Sequence, residues 1–196
     1  MSIIERYSNL VDAAYGTTRG LVRAWLAEIE YLLGTVDEFT RIEPQNVHRL
    51  VFVCLGNINR SAFADAVAQK LGATSASIGL STSTGAPAFH KAIGIAPRFG
   101  ISLDQHQATD ISDYKYREGD LLLAMEIRHA RAHLARGIPR GRVVLLGHWA
   151  APRRINLHDP HLLSERFFET CFALVHSAVN RLVAELRVAG SPCVKR

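Results

Sequence analysis

From position 49 onward, short apolar runs alternate with segments whose apolar residues recur every three or four positions. Leu50 to Val53 is a continuous apolar run, the pattern of a parallel strand covered on both faces. Ser61 to Leu71 follows helical spacing through Phe63, Ala66, Val67 and Leu71. Ser77 to Ser83 predicts a second, weaker strand. Ala92 to Phe99 predicts a short helix, limited by Pro97. Asp120 to Met125 reads as a buried strand, Arg128 to Arg136 as a helix and Val143 to Leu146 as a fourth strand. The last helix is expected from Ser164 to about Val188. Its buried face would carry Phe167, Phe168, Cys171, Leu174, Val175, Ala178, Leu182, Val183 and Leu186. Alternating units of this kind predict a doubly wound α/β domain. In such sheets, active sites lie beyond the carboxyl ends of the strands.

The first 48 residues follow a different rhythm. Leu21, Val22, Trp25, Leu26, Ile29, Leu32 and Leu33 form one apolar stripe at helical spacing. Thr17-Thr18 suits the start of that helix and Gly34 its end. Arg41 to His48, with Pro44 and Asn46, reads as a linker. The expected fate of the stripe is packing against the main domain. The sharper alternative is a dimer interface or a lid over the site. The expected division is therefore a helical extension and linker over 1–48, the main domain over 49–188, and a tail over 189–196.

Composition narrows the class. The 196 residues suffice for one good core and fall short of two ordinary domains. With 48% hydrophobic and 21% charged residues, the chain reads as globular. Its net charge of +5 comes from scattered Arg and Lys, which favours weak attraction of anions over nucleic-acid binding. Cys54, Cys171 and Cys193 show no CxxC spacing, so reduced thiols in the cytoplasm fit better than a stapled scaffold or a zinc site. Charged residues at positions 5, 12 and 19 interrupt any signal-peptide core, and no apolar run approaches membrane-spanning length.

The candidate chemistry sits in Cys54-Leu55-Gly56-Asn57-Ile58-Asn59-Arg60-Ser61. A cysteine ends a buried strand, a tight loop follows, and a helix begins. Helix N-termini and cations lower a thiol pKa and bind anions through backbone amides. Gly56 allows close approach and positive φ. Asn57 tolerates left-handed geometry and can hold the loop by side-chain bonds. Arg60 offers a planar fork that matches phosphate oxygens. Ser61 can hydrogen-bond the sulfur. A free cysteine is more often an inert buried residue, and Cys-x5-Arg alone is weak. Its placement between strand and helix makes a phosphate cradle the stronger reading. Asp159-Pro160 lies between the fourth strand and the last helix, where Asp159 could protonate a leaving phenolate. A plain turn before the helix is its ordinary alternative.

Together these two segments resemble the low-molecular-weight protein tyrosine phosphatases of bacterial type. Cys54 to Ser61 is similar to that family's phosphate-binding signature, and Asp159-Pro160 to its general-acid loop, 105 positions on. The resemblance extends through Ser81 to Ala86, Gly100 to Leu103, Asp120 to Glu126 and Phe167 to Leu186. It implies a four-stranded parallel sheet, no metal or other cofactor, and a phosphocysteine intermediate. It implies Cys54 as nucleophile, Arg60 as phosphate clamp and Asp159 as general acid and base. The loop Leu55, Gly56, Asn57, Ile58, Asn59 and Ser61 would bind phosphate, shaped by a network of Asn57, Ser81 and His106. It also implies a phosphotyrosine protein substrate, with a tyrosine kinase of polysaccharide export as one such partner. No nucleic acid and no membrane insertion are expected.

Several positions depart from the family pattern. Asn59 stands where a second cysteine is common, so Cys54 should lack a neighbour able to trap its oxidised form as a disulfide. Ala62 replaces the usual proline. His161 replaces the tyrosine that walls the substrate ring, and Phe89 is the candidate for the opposite wall. Two other functions compete. One is a catalytically silent phosphate- or phosphotyrosine-binding module, suggested by Asn59, Ala62 and His161. The other is an arsenate reductase, which would need a relay from Cys171 and Cys193.

Overall fold

The computed structural model describes residues 3–195. Two helices open the chain, α1 (Ile3–Tyr15) and α2 (Thr18–Leu32). The main domain follows as β1 (Arg49–Cys54), α3 (Arg60–Lys70), β2 (Ser75–Gly79), α4 (His90–Ile95), β3 (Asp120–Ala124), α5 (Ile127–Leu134), β4 (Val143–Leu145) and α6 (Glu165–Val188). The four strands form one parallel sheet in the order β2-β1-β3-β4. This is the doubly wound α/β fold expected.

Both faces of the sheet are covered. Leu50, Phe52, Leu121 and Leu123 join a core with α3 and α6, where the rings of Phe63 and Phe172 stack at 3.9 Å. Val51, Val53, Leu122 and Ala124 pack on the other face with α5, Ala27 of α2, Val36 and Phe39. Continuous burial of alternate side chains on opposite faces is why these strands read as unbroken apolar runs.

Element edges differ from expectation in explicable ways. The second strand occupies Ser75–Gly79, starting and ending earlier than the predicted 77–83. Its span is set by pairing with β1, from Leu50↔Ser75 to Cys54↔Gly79. Pro97 sits in a 3₁₀ turn (Ala96–Phe99) that tightens the end of α4. The N-terminal region breaks into two helices at Gly16, whose φ is +73°, and Thr17 caps the second by accepting from the Gly20 amide at 2.9 Å.

The apolar stripe of α2 does not pack on the main domain. Val22, Trp25, Leu26, Ile29, Leu32 and Leu33 are 46–75% exposed. The helix docks instead by its opposite, small-residue side: Gly20, Ala24 and Ala27 are buried. A Cβ on Gly20 would lie 2.1 Å from the Tyr15 carbonyl oxygen and 3.0 Å from His158 Cδ2. Small residues let α2 approach the domain more closely than its large ones could.

Candidate active site

β1 is an interior strand, and Cys54 is its last residue. The chain turns through positions 55–59 and enters α3 at Arg60, with no side chain capping that helix start. Its first amides are thus left for an anion. Cys54 is 2% exposed. Its Sγ accepts from the Asn57 amide at 3.2 Å and lies 3.0 Å from Ser61 Oγ. Ser61 Oγ already accepts from Asn57 Nδ2 at 2.8 Å, so its own proton is free for the sulfur.

Asn57 is the keystone of the loop. It is fully buried, at φ 51°. Of the two positions read as able to turn left-handed, Gly56 and Asn57, it is Asn57 that does so, a residue that tolerates it at modest cost. Besides its amide bond to Cys54, three bonds hold it there. Nδ2 donates to Ser61, Oδ1 accepts from the Thr109 amide at 2.8 Å, and its carbonyl accepts from His106 Nε2 at 2.7 Å. Of the expected network, Asn57 and His106 meet directly. Ser81 joins differently: its backbone amide donates to the Leu55 carbonyl at 2.9 Å, while Ser61 and Thr109 take the side-chain contacts with Asn57. Ser81 is exposed, and among the described residues its side chain makes no hydrogen bond to Asn57 or His106.

Arg60 is completely buried. Its Nη1 donates to Glu126 Oε1 at 2.8 Å and to the Leu157 carbonyl at 2.7 Å. Its Nη2 lies 2.8 Å from Asp159 Oδ2, a charge contact without hydrogen-bond alignment. Nε and Nη2, the edge that chelates a tetrahedral anion, have no hydrogen-bond partner among the described residues. Burial disfavours the cation, but Asp159 and Glu126 outweigh it and hold Arg60 above ordinary arginine. Burial likewise opposes the Glu126 carboxylate, yet Arg60 and Arg128 bring its pKa down to about 2. A fixed cation is the result, oriented from behind.

Cys54, Leu55, Gly56, Ile58, Asn59, Ser81, Asp159 and His161 line an open cleft of about 180 Å³. Asp159 is 28% exposed, and its Oδ1 accepts from the His161 amide at 3.3 Å. Phe89 is not the opposite wall. Its ring stands 4.6 Å from that of His161 and stacks on Phe168 at 6.3 Å, so it backs His161 from the core side. Leu55, 41% exposed, occupies the rim. Among the described residues, no group of three or more His, Cys, Asp or Glu is placed to hold a metal ion.

Residues 49–191 match the family model for low molecular weight phosphotyrosine protein phosphatase. The chain belongs to this family. The phosphatase is 36% identical over 138 residues to the low molecular weight protein-tyrosine-phosphatase Wzb of Salmonella typhimurium, covering 68% of this chain and 91% of that protein. It is 31% identical over 144 residues to the probable phosphatase AmsI of Erwinia amylovora, covering 71% and 98%. The crystal structure of AmsI superposes with a TM-score of 0.63 at 28% identity, over 71% of this chain and 93% of that one. Vibrio vulnificus Wzb in complex with benzylphosphonate matches with a TM-score of 0.60 at 29% identity, over 72% and 98%. The phosphatase is thus a hydrolase of known fold carrying an N-terminal segment outside the matched region.

Sequence reasoning passed over three contributors. Glu126 lies two residues beyond β3, the other interior strand, and position beyond a central strand end was the available signal. Gly79 permits the loop to sit low. A Cβ there would lie 2.9 Å from the Leu55 carbonyl oxygen and 3.1 Å from Asn57 Cβ. The Thr109 amide carries no side-chain signal at all.

Proposed function

We propose that this phosphatase hydrolyses phosphotyrosine in proteins, and aryl phosphates, through a phosphocysteine intermediate. The observation that carries the reading is buried Arg60 beside the cleft of Cys54 and Asp159, with Nε free of hydrogen bonds and Nη2 facing the Asp159 carboxylate. The Nε and Nη2 edge binds two phosphate oxygens while the loop amides take the rest. The Cys54 sulfur attacks phosphorus, the bond to the phenolic oxygen breaks, and Asp159 delivers a proton to that oxygen. Water then attacks phosphorus and gives its proton to the Asp159 carboxylate. The sulfur departs with the Ser61 hydroxyl as hydrogen-bond donor, releasing inorganic phosphate. A relative solved with benzylphosphonate supports an arylmethyl-sized group above the phosphate.

The test is hydrolysis of p-nitrophenyl phosphate. Cys54→Ser should abolish it, and Asp159→Ala should cost about a hundredfold in kcat/KM on phenyl phosphate, whose leaving group needs the proton. An inactive wild type would instead favour the silent binding module. The arsenate relay would need both other thiols, and only Cys171 lies near the site, against the His158 carbonyl. Cys193 lies beside Thr74 at the start of β2, the far end of the sheet from Cys54, and burial pushes the Cys171 thiol up to about 12.

We infer a cytoplasmic setting from three free cysteines, which suit a reducing compartment. Among the described residues, no helix is long and apolar enough to cross a membrane. The family resemblance points to a tyrosine kinase of polysaccharide export as substrate. The α2 stripe further supports a homodimer. Val22, Trp25, Ile29 and Leu32 alternate at three- and four-residue spacing, as in an antiparallel helix pair. Six large apolar side chains at 46–75% exposure leave an apolar face without cover, the kind of surface that marks an interaction site. Light scattering should give a dimer for wild type and a monomer for Trp25→Glu. A monomeric wild type refutes the pairing.

A further inference from the structure

The segment from Ala150 to Ser164 carries Asp159 and contains no helix or strand. Its inner side is tied to the sheet. Leu157 donates its amide to the Met125 carbonyl at 2.9 Å, and Asn156 Oδ1 accepts from the Ile127 amide at 2.9 Å. Its outer side is held by the two N-terminal helices, which lie outside the family match. Glu28 Oε1 accepts from the Ile155 amide at 3.1 Å, while Oε2 accepts from Arg153 Nε and Nη2 at 3.3 and 3.2 Å. Arg153 also stacks on Tyr31 at 4.0 Å. Arg154 donates to the Ala14 carbonyl at 3.1 Å and covers Tyr15 at 4.2 Å. At the far end, Ser164 Oγ donates to Asp12 Oδ2 at 2.8 Å. Between these points, Gly20 brings α2 against His158, the neighbour of Asp159.

We propose that the N-terminal helices position the general acid, with Glu28 and Asp12 as the positioning residues. The proposal rests on Asp159 being that acid. Glu28 fixes the loop four residues before it and Asp12 five residues after it. A carboxyl group must lie within hydrogen-bond reach of the leaving oxygen, and a displacement of about 1 Å can cost about a hundredfold in rate. The phosphate cradle's own bonds run to Ser61, His106, Thr109 and Glu126, and it meets the loop through Arg60, at Asp159 and at the Leu157 carbonyl, whose own amide is tied to Met125 rather than to the helices. Loosening the helices should therefore impair proton delivery and leave phosphate binding intact.

Leaving-group dependence separates positioning from general damage. A p-nitrophenolate departs readily without a proton, whereas a phenolate, with a conjugate acid near about 10, departs poorly. The measurement is kcat/KM for both phosphate esters, which contains the phosphoryl-transfer step. Full-length Glu28→Ala and Asp12→Ala should each lose about tenfold or more on phenyl phosphate. On p-nitrophenyl phosphate the loss should stay below about threefold, and inhibition by inorganic phosphate should be unchanged. Glu28→Gln retains an acceptor for the Ile155 amide and should recover much of the loss. It also serves where Glu28→Ala folds poorly by circular dichroism. Asp159→Asn is the control for the acid itself. If it shows no bias between the two esters, the acid assignment fails. If it shows the bias while the Glu28 and Asp12 variants lose both activities equally, or neither, the positioning proposal is overturned.

Discussion

Replacing Glu126 by Gln tests how the phosphate clamp is held. The carboxylate is 3% exposed and contacts Arg60 at 2.8 Å and Arg128 at 2.9 Å. Despite burial, its pKa falls from the ordinary 4.5 to about 2. Each pH unit of that difference is worth about 1.4 kcal/mol, so ionisation contributes ~3 kcal/mol. Gln has the shape of the protonated acid, so it forfeits that amount. Arg128 is half-exposed and its share is screened, which reduces the expected loss to about 2–3 kcal/mol at pH 7. This sits near the lower end of the ~3–5 kcal/mol for breaking a buried pair. The sign with pH follows from the depressed pKa. The contribution is complete above pH 4.5 and is lost as pH falls towards 2. Urea unfolding at pH 7 and pH 3.5 should therefore show the gap between wild type and Glu126→Gln shrinking by about 1 kcal/mol. Inhibition by inorganic phosphate should weaken in parallel, because Arg60 loses a partner that orients it. A variant within 0.5 kcal/mol or so of wild type at pH 7, with unaltered phosphate inhibition, would refute the reasoning.

Two further predictions concern titration and oxidation. Burial, reinforced for His129 by Arg60, holds His129 at about 3, and burial holds His133 at about 4. The unfolded chain takes these protons near 6.5 and the folded one does not, so stability should fall as pH drops from about 6.5 towards 4. Thermal unfolding of His129→Gln should show a flatter acid limb, and an unchanged slope would count against this account. Asn59 leaves Cys54 without an adjacent thiol, and the Cys171 thiol, near 12, is a poor nucleophile at neutral pH. Peroxide-treated enzyme should recover little activity with dithiothreitol, and full recovery would contradict this.

The sheet was legible because parallel strands buried on both faces leave unbroken apolar runs such as Leu50 to Val53 and Leu121 to Ala124. The cradle was legible because its chemistry is local: Cys54, Asn57, Arg60 and Ser61 lie within eight consecutive positions. Interactions spanning the chain were not. Arg60 meets Glu126 across 66 positions and the Leu157 carbonyl across 97. Backbone groups such as the Thr109 amide leave no trace in residue type. The α2 stripe misled for a different reason. Periodicity reports two faces of a helix without saying which one docks, and here the small face won because Gly20 and Ala24 allow close approach.

The two reacting groups hang from different parts of the architecture. Cys54 ends a strand paired on both sides, among the last elements to open in a cooperative fold. Asp159 rides on an irregular loop braced by peripheral helices, one of which turns an apolar face to solvent. Fraying of those helices would leave a molecule that still captures phosphate and no longer releases a poor leaving group efficiently. The fold thus contains a graded failure mode, in which recognition outlasts turnover.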